Sequence, residues 1–154
     1  MTQEEKQILL NDLKCRLYTG TQCQCIWSDA VKNGSVGVIN ELDTYILDEL
    51  EMIGNPNCMY MFSDIKPCLR PLESMTEDEK NELSARYVWR IVCGEIRISY
   101  HSEGNLNNDT ECSTEEYLKL FDWLNAHHFD YRNLIEMDLA LQAPEGMYKI
   151  DDKN

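Results

Sequence analysis

The pattern Ser/Thr-x-x-Glu stands before an apolar-periodic run in three places: Thr2 with Glu5, Thr76 with Glu79, and Ser113 with Glu116. In such a capping box the hydroxyl accepts from a backbone N–H three residues on, while the carboxylate reaches back to the cap's own N–H, so each box marks a helix start. After the first, Leu9, Leu10, Leu13 and Leu17 fall on one side of a helix over residues 3–18, which Gly20 ends. After the second, Leu83, Tyr87, Val88, Ile91 and Val92 keep helical spacing and predict a helix over 77–92, with Gly94 placed to stop it. After the third, Tyr117, Leu118, Phe121, Leu124 and His128 share a face, and Asp130 is positioned to cap a last short helix through Ile135.

The intervals read as strands. Thr21–Trp27 alternates, and Asn33-Gly34 suits the turn of a hairpin into Val36–Ile39. Residues 41–53 fit both a helical stripe and strand composition, and strand is the preferred reading. Cys58–Phe62 is a short strand, Pro67 and Pro71 hold Ile65–Leu72 extended across the surface, and Glu95–Tyr100 alternates as an edge strand. These elements predict an α+β fold, a small, mainly antiparallel sheet packed against about three helices. A chain of 154 residues is one domain's worth, with an acidic tail from about 149.

With 14 Lys plus Arg against 28 Asp plus Glu, the net charge is −14. Residues 1–40 balance to zero, while residues 41–86 and 87–154 each carry −7. This acidity repels phosphate backbones and argues against direct nucleic-acid binding. No apolar run approaches the roughly 18 residues of a membrane span, and the acidic start Met1–Glu5 is unlike a signal peptide, so the expected location is the cytosol with no membrane partner. Seven cysteines are then expected as reduced thiols. Cys23 and Cys25, spaced too closely for a zinc knuckle, should share one strand face as buried thiols.

Chemical motifs are sparse. The sequence holds no Gly-rich phosphate loop, no Gly-x-Ser-x-Gly elbow and no His-Glu-x-x-His pair. His127, His128 and Asp130 are the one cluster with donors for acid–base work. The helix-end position gives the two histidines a plainer role as partners of the helix dipole. His101 follows a strand with no nucleophile at a recognisable offset. Trp123 lies off the apolar stripe, so it either widens the buried face or serves as an exposed anchor. No metal or other cofactor is expected.

Two long segments carry a resemblance. Asp64–Lys80, containing Lys66-Pro67-Cys68-Leu69-Arg70-Pro71 and Ser74-Met75-Thr76-Glu77-Asp78-Glu79, and Phe121–Glu136, containing Trp123-Leu124-Asn125-Ala126-His127-His128-Phe129-Asp130-Tyr131-Arg132, resemble signature segments of a family of small proteins of gut anaerobes and their phages and prophages. Leu10–Gly20 and Leu139–Tyr148 resemble its ends. The family pattern has Tyr where Cys68 stands and Gly where Asn133 stands. The resemblance implies a mobile-element setting and no catalytic residues.

The leading expectation is a non-enzymatic accessory protein that binds a host or element protein. An acidic inhibitor of a basic, nucleic-acid-binding groove is the most economical form, since carboxylates offer that groove the charge it evolved to receive. The expected contact residues are Lys66, Arg70, Trp123, His127, His128, Asp130, Tyr131 and Arg132, expected near one another with Arg70 meeting the end of the third helix or Asp130, together with the acids Glu77, Asp78, Glu115 and Glu116. If the two acidic stretches converge, Glu73, Glu82, Glu103, Asp109 and Glu111 join that face. The alternatives are a small enzyme using His127, His128 and Asp130, and a structural component of a virion or replication complex.

Overall fold

The computed structural model describes residues 1–26, 34, 36–43, 49–53, 59–61, 64–85, 88–92, 95–99 and 114–148. Helix α1 spans Gln3–Arg16 and starts on the expected box: Glu5 N–H donates to Thr2 Oγ1 at 3.2 Å, and Thr2 N–H to the Glu5 carboxylate at 2.6 Å. That bond holds the Glu5 carboxyl below the usual range. The same reciprocal pair at Thr76 and Glu79 starts α2, Glu77–Ser84. Helix α3 is Thr114–Ala126; its expected cap, Ser113, lies outside the described residues.

Strands β1 (Gln22–Cys25), β2 (Val36–Asp43), β3 (Glu49–Ile53) and β4 (Met59–Met61) pair antiparallel in succession. The hairpin between β1 and β2 sets Cys23 opposite Gly37, and Gly34 has the positive φ of 83° expected of its turn position. The sheet continues through β5 (Ile65–Pro71), antiparallel to β1. Strands β6 (Val88–Val92) and β7 (Glu95–Ser99) form a separate antiparallel pair. β8 (Phe129–Asp130) and β9 (Leu141–Gln142) both run parallel to β5. The result is the expected α+β architecture, a mostly antiparallel sheet with three helices among the described residues.

Four expectations need correction. Ile65–Leu72 does not lie across the surface, for β5 sits inside the sheet with Ile65, Pro67, Cys68 and Leu69 buried. The prolines permit this because of register. Ile26 N–H bonds Asp64 C=O, which makes Cys23 and Pro67 a non-hydrogen-bonded pair, so the N–H that Pro67 lacks is not needed by β1. The helix predicted over 77–92 ends at Ser84, and Val88–Val92 is strand β6. Its Val and Ile residues favour the pleated surface, and Glu95–Ser99 supplies a partner whose Ile98 and Ile96 stand opposite Trp89 and Ile91. The segment after Asp130 forms turns rather than a helix, although Asp130 accepts from Leu134 and Ile135 N–H at 2.9 and 2.8 Å as a cap would. On α3 the buried residues are Leu120, Leu124 and Asn125, while Leu118, expected on the apolar face, is 59% exposed.

Helix α1 lays Leu9 and Leu13 on Cys23, Cys25 and Ile65, with Leu10 and Leu17 half-buried beside them. Leu83 of α2 and Leu120 and Leu124 of α3 pack around Leu72, Met75 and Phe129. Leu69 meets Leu134, Leu139 and Ala140. Each buried leucine contributes about 1.5–3 kcal/mol relative to exposure, so these three clusters fix where the helix ends meet β5 and β8. Residues 44–48, within the ambiguous stretch, and 149–154, the expected tail, lie outside the described residues.

Candidate functional site

The ends of α1 and α3, the start of β1, β8 and residues 143–148 meet at a buried polar junction. On α1 the four-residue spacing stacks Asp12 above Arg16, both buried. Arg16 donates to the two Asp12 oxygens at 2.6 and 3.2 Å and to Phe129 C=O at 2.8 Å, tying α1 to β8. Arg132 Nε approaches Asp12 Oδ1 at 3.5 Å, a charge contact without hydrogen-bond geometry. Both guanidinium groups lie over the Tyr131 ring, at 5.5 and 5.2 Å.

A chain of hydroxyls leads from this pair to His128. Thr19 Oγ1 donates to Arg16 C=O at 2.8 Å, which uses its only proton. Thr21 Oγ1, 2.9 Å from Thr19 Oγ1, must therefore donate to Thr19. Thr21 can then only accept from His128 Nδ1, also at 2.9 Å, and so His128 is the Nδ1–H tautomer. The ring stacks on Tyr148 with centroids 3.7 Å apart. Burial, then the charges of Arg16, His127 and Arg70, holds the His128 pKa down to about 4. The dipole-partner role expected of the two histidines therefore fails for His128, because a neutral ring supplies no charge to the helix end. His128, two residues past the end of α3, takes the left-handed region at φ 61° and accepts Arg70 N–H on its carbonyl at 2.8 Å.

Tyr148 closes a gap in the sheet. Its hydroxyl accepts from Gln22 N–H at 2.9 Å and donates to Cys68 C=O at 2.7 Å, bridging β1 and β5 where their ladder stops. Burial raises the pKa of this phenol, and likewise that of the Cys23 and Cys68 thiols. Cys23 and Cys25 are both buried on one strand face as expected, and Cys15, Cys23, Cys25 and Cys68 are free.

Arg70 is the second anchor. It makes a two-pronged bridge to Glu79 at 2.7 and 2.9 Å, donates to Ser74 C=O at 3.1 Å and to His127 C=O at 3.4 Å, and lies 4.3 Å over the Phe129 ring. Burial alone would raise the Glu79 carboxyl, but the bonds from Arg70 and Thr76 prevail and hold it below the usual range. Arg70 thus meets the end of α3 as expected but pairs with Glu79, not Asp130. Trp123, half-buried, stacks on His127 at 4.0 Å and donates to Glu82 at 3.1 Å, widening the buried face. His127 Nδ1 lies 2.8 Å from Trp123 C=O. Beside Arg70 a groove of about 400 Å³ runs between Pro71, Ser74 and Thr76 on one side and Gln142–Gly146 with Tyr148 on the other.

Comparison with protein-family models, curated proteins and solved structures found no match. Arg70, Trp123, His127 and His128 come together around Phe129 and β5, whereas Asp130, Tyr131 and Arg132 turn toward α1 and the following loop. Lys66 lies apart, paired with Asp138. Glu77 pairs with Lys80, and Glu115 and Glu116 with Lys119, whose ammonium holds the Glu115 carboxyl down and is itself held up by both acids. Asp78 is exposed. Glu103, Asp109, Glu111 and His101 lie outside the described residues. Among the described residues no group of three His, Cys, Asp or Glu side chains is placed to hold a metal ion, and no helix is long and apolar enough to cross a membrane. Sequence reasoning missed Asp12, Arg16, Thr21 and Tyr148. For the first two a signal existed, an Asp and an Arg four apart on the same side of the helix as Leu9 and Leu13; for Tyr148, 126 positions from Gln22, local pattern held none.

Proposed function

We propose that this chain is a non-enzymatic binding protein, an accessory of a phage or other mobile element, that acts in the cytosol by presenting its acidic surface to a basic site on a host or element protein. One observation carries the reading: among the described residues the basic side chains of Arg16, Lys66, Arg70, Lys80, Lys119 and Arg132 are each engaged by the protein's own carboxylates, with Lys14 exposed, while the more numerous Glu4, Glu73, Asp78, Asp122, Glu136 and Glu145 face outward. With a net charge of −14 over the chain, these outward carboxylates speed encounter with a positive groove and resist polyanions. The resemblance to small proteins of gut anaerobes and their phages supports the mobile-element setting. The acid–base reading of His127, His128 and Asp130 draws less support, because Asp130 is occupied by the N–H groups of Arg132, Leu134 and Ile135, and His128 by Thr21 and Tyr148.

The test uses the tagged full chain as bait in a native-host lysate, beside a variant with Glu77, Asp78, Glu115 and Glu116 changed to Lys. A partner captured by the first, lost by the second, and released as salt rises past physiological strength supports the reading. A partner retained by both and indifferent to salt overturns electrostatic recognition.

A further inference from the structure

We propose that residues 143–148 form a strap that unlatches from the β1/β5 seam when His128 gains a proton, opening the groove beside Arg70. The strap is fastened at two ends. Ala143 N–H donates to Leu69 C=O at 2.7 Å, and Tyr148 sits between Gln22 N–H and Cys68 C=O. Between them Pro144, Glu145 and Gly146 are exposed and form one wall of the groove. The first fastening is backbone to backbone. The second depends on a side chain stacked against a titratable ring.

The fixed charges that face this ring are both positive. Arg16 reaches it from α1 and Arg70 from β5, and the titratable ring of His127 precedes it at the end of α3. The strap offers only the neutral Tyr148 phenol, and the residues between α1 and β1 only the hydroxyl of Thr21. The carboxylates in reach are engaged: Asp12 by Arg16 and Arg132, Glu79 by Arg70, Asp130 by backbone N–H groups. Because Nδ1 already carries its proton toward Thr21, an added proton goes to Nε2 and makes a third cation beside two guanidinium groups. Swinging the strap away lets water reach the ring, and the Gln22 N–H and Cys68 C=O that Tyr148 had covered are then solvated. Full return of the freed ring from about 4 to the ordinary value of 6.5 would raise the opening constant about twenty-fold between pH 7 and pH 5; because Arg16 and Arg70 stay beside the ring, the rise is several-fold with that figure as its ceiling. This device stands independently of the partner reading above.

Native-state hydrogen exchange tests it, since the Gln22 amide is covered by Tyr148. After correction for intrinsic exchange rates, the Gln22 opening constant should exceed that of Leu13, a core amide of α1, show little urea dependence, and rise several-fold, up to about twenty-fold, from pH 7 to pH 5. In His128→Asn, which tolerates the left-handed backbone, the rise should vanish. In Tyr148→Phe, which keeps the stacked ring but not the bridge, Gln22 should exchange faster already at pH 7. A Gln22 opening constant that ignores pH overturns the proposal. So does one that matches Leu13 in size and urea dependence, for the seam would then open only with the whole domain. Should the asparagine variant fail to fold, the wild-type and Tyr148→Phe arms still decide.

Discussion

Replacing Asp12 by alanine should destabilise the protein by about 3–5 kcal/mol, the range for removing one partner of a buried ion pair. An exposed pair at the same helical spacing is worth only about 0.3–0.5 kcal/mol, so burial decides the size. The Arg16 side chain is 1% exposed, and its Nη1 has no partner even in the intact protein. Without the carboxylate, the buried guanidinium keeps a single acceptor, Phe129 C=O, and Arg132 loses its counter-charge at the same stroke. For a domain of this size each kcal/mol moves Tm by about 2–4 °C, so the loss is about 6–20 °C. Urea unfolding at constant m-value measures it. The double variant Asp12→Leu/Arg16→Met should recover most of the loss, because apolar residues of similar volume need no charge compensation. A single variant that costs under about 1 kcal/mol would show that Arg16 finds water or another acceptor without Asp12, and would refute the claim that this pair joins α1 to β8.

Acid should weaken the fold through His128. His128 is held to about 4 against 6.5 in the unfolded chain, so the unfolded state binds the proton first, and stability present above pH 6.5 is lost as pH falls toward 4. Allowing for solvent screening of the partly exposed ring, about 1–2 kcal/mol should go between pH 7 and pH 5; in His128→Asn that slope should disappear from urea titrations at the two pH values. Tyr18 stands at φ 69° and is 89% exposed, so Tyr18→Gly should relieve strain and stabilise by about 1 kcal/mol, read as a rise in Tm. Arg70→Lys should cost about 1–3 kcal/mol, since an ammonium cannot hold both Glu79 oxygens and lie over Phe129; a silent substitution in thermal unfolding would argue that the guanidinium geometry is unimportant.

Helix starts were the most legible feature, because a capping box is a local device whose partners lie three residues apart, as Thr2 with Glu5 and Thr76 with Glu79 show. Helix ends were less so. Val88, Ile91 and Val92 fit a helical stripe, and only pairing with Glu95–Ser99, which sets Trp89 and Ile91 opposite Ile98 and Ile96, makes the segment a strand. The prolines of β5 look like surface signals in the sequence, but the N–H that Pro67 lacks matters only relative to a partner strand, and register is a property of two strands. At the site, Arg70, Trp123, His127 and His128 were picked out and do assemble around Phe129. What organises them was hidden. Tyr148 and Thr21 matter through contacts more than a hundred positions away, and no spacing rule reaches that far.

The central strand also sets the order in which the molecule is able to assemble. The β1–β2, β2–β3 and β6–β7 pairs join near neighbours in the chain and can zip in microseconds. β5 has no such neighbour on its far side: Arg70 waits for Phe129, and Cys68 for Leu141. The loop-closure entropy for those parallel pairings falls due before their contacts reward it, which places their formation late and makes it slow. Until it happens, Cys68 and Leu69, buried in the finished protein, sit on an open strand edge, and that interval is when a second unfolded copy has its chance to pair there.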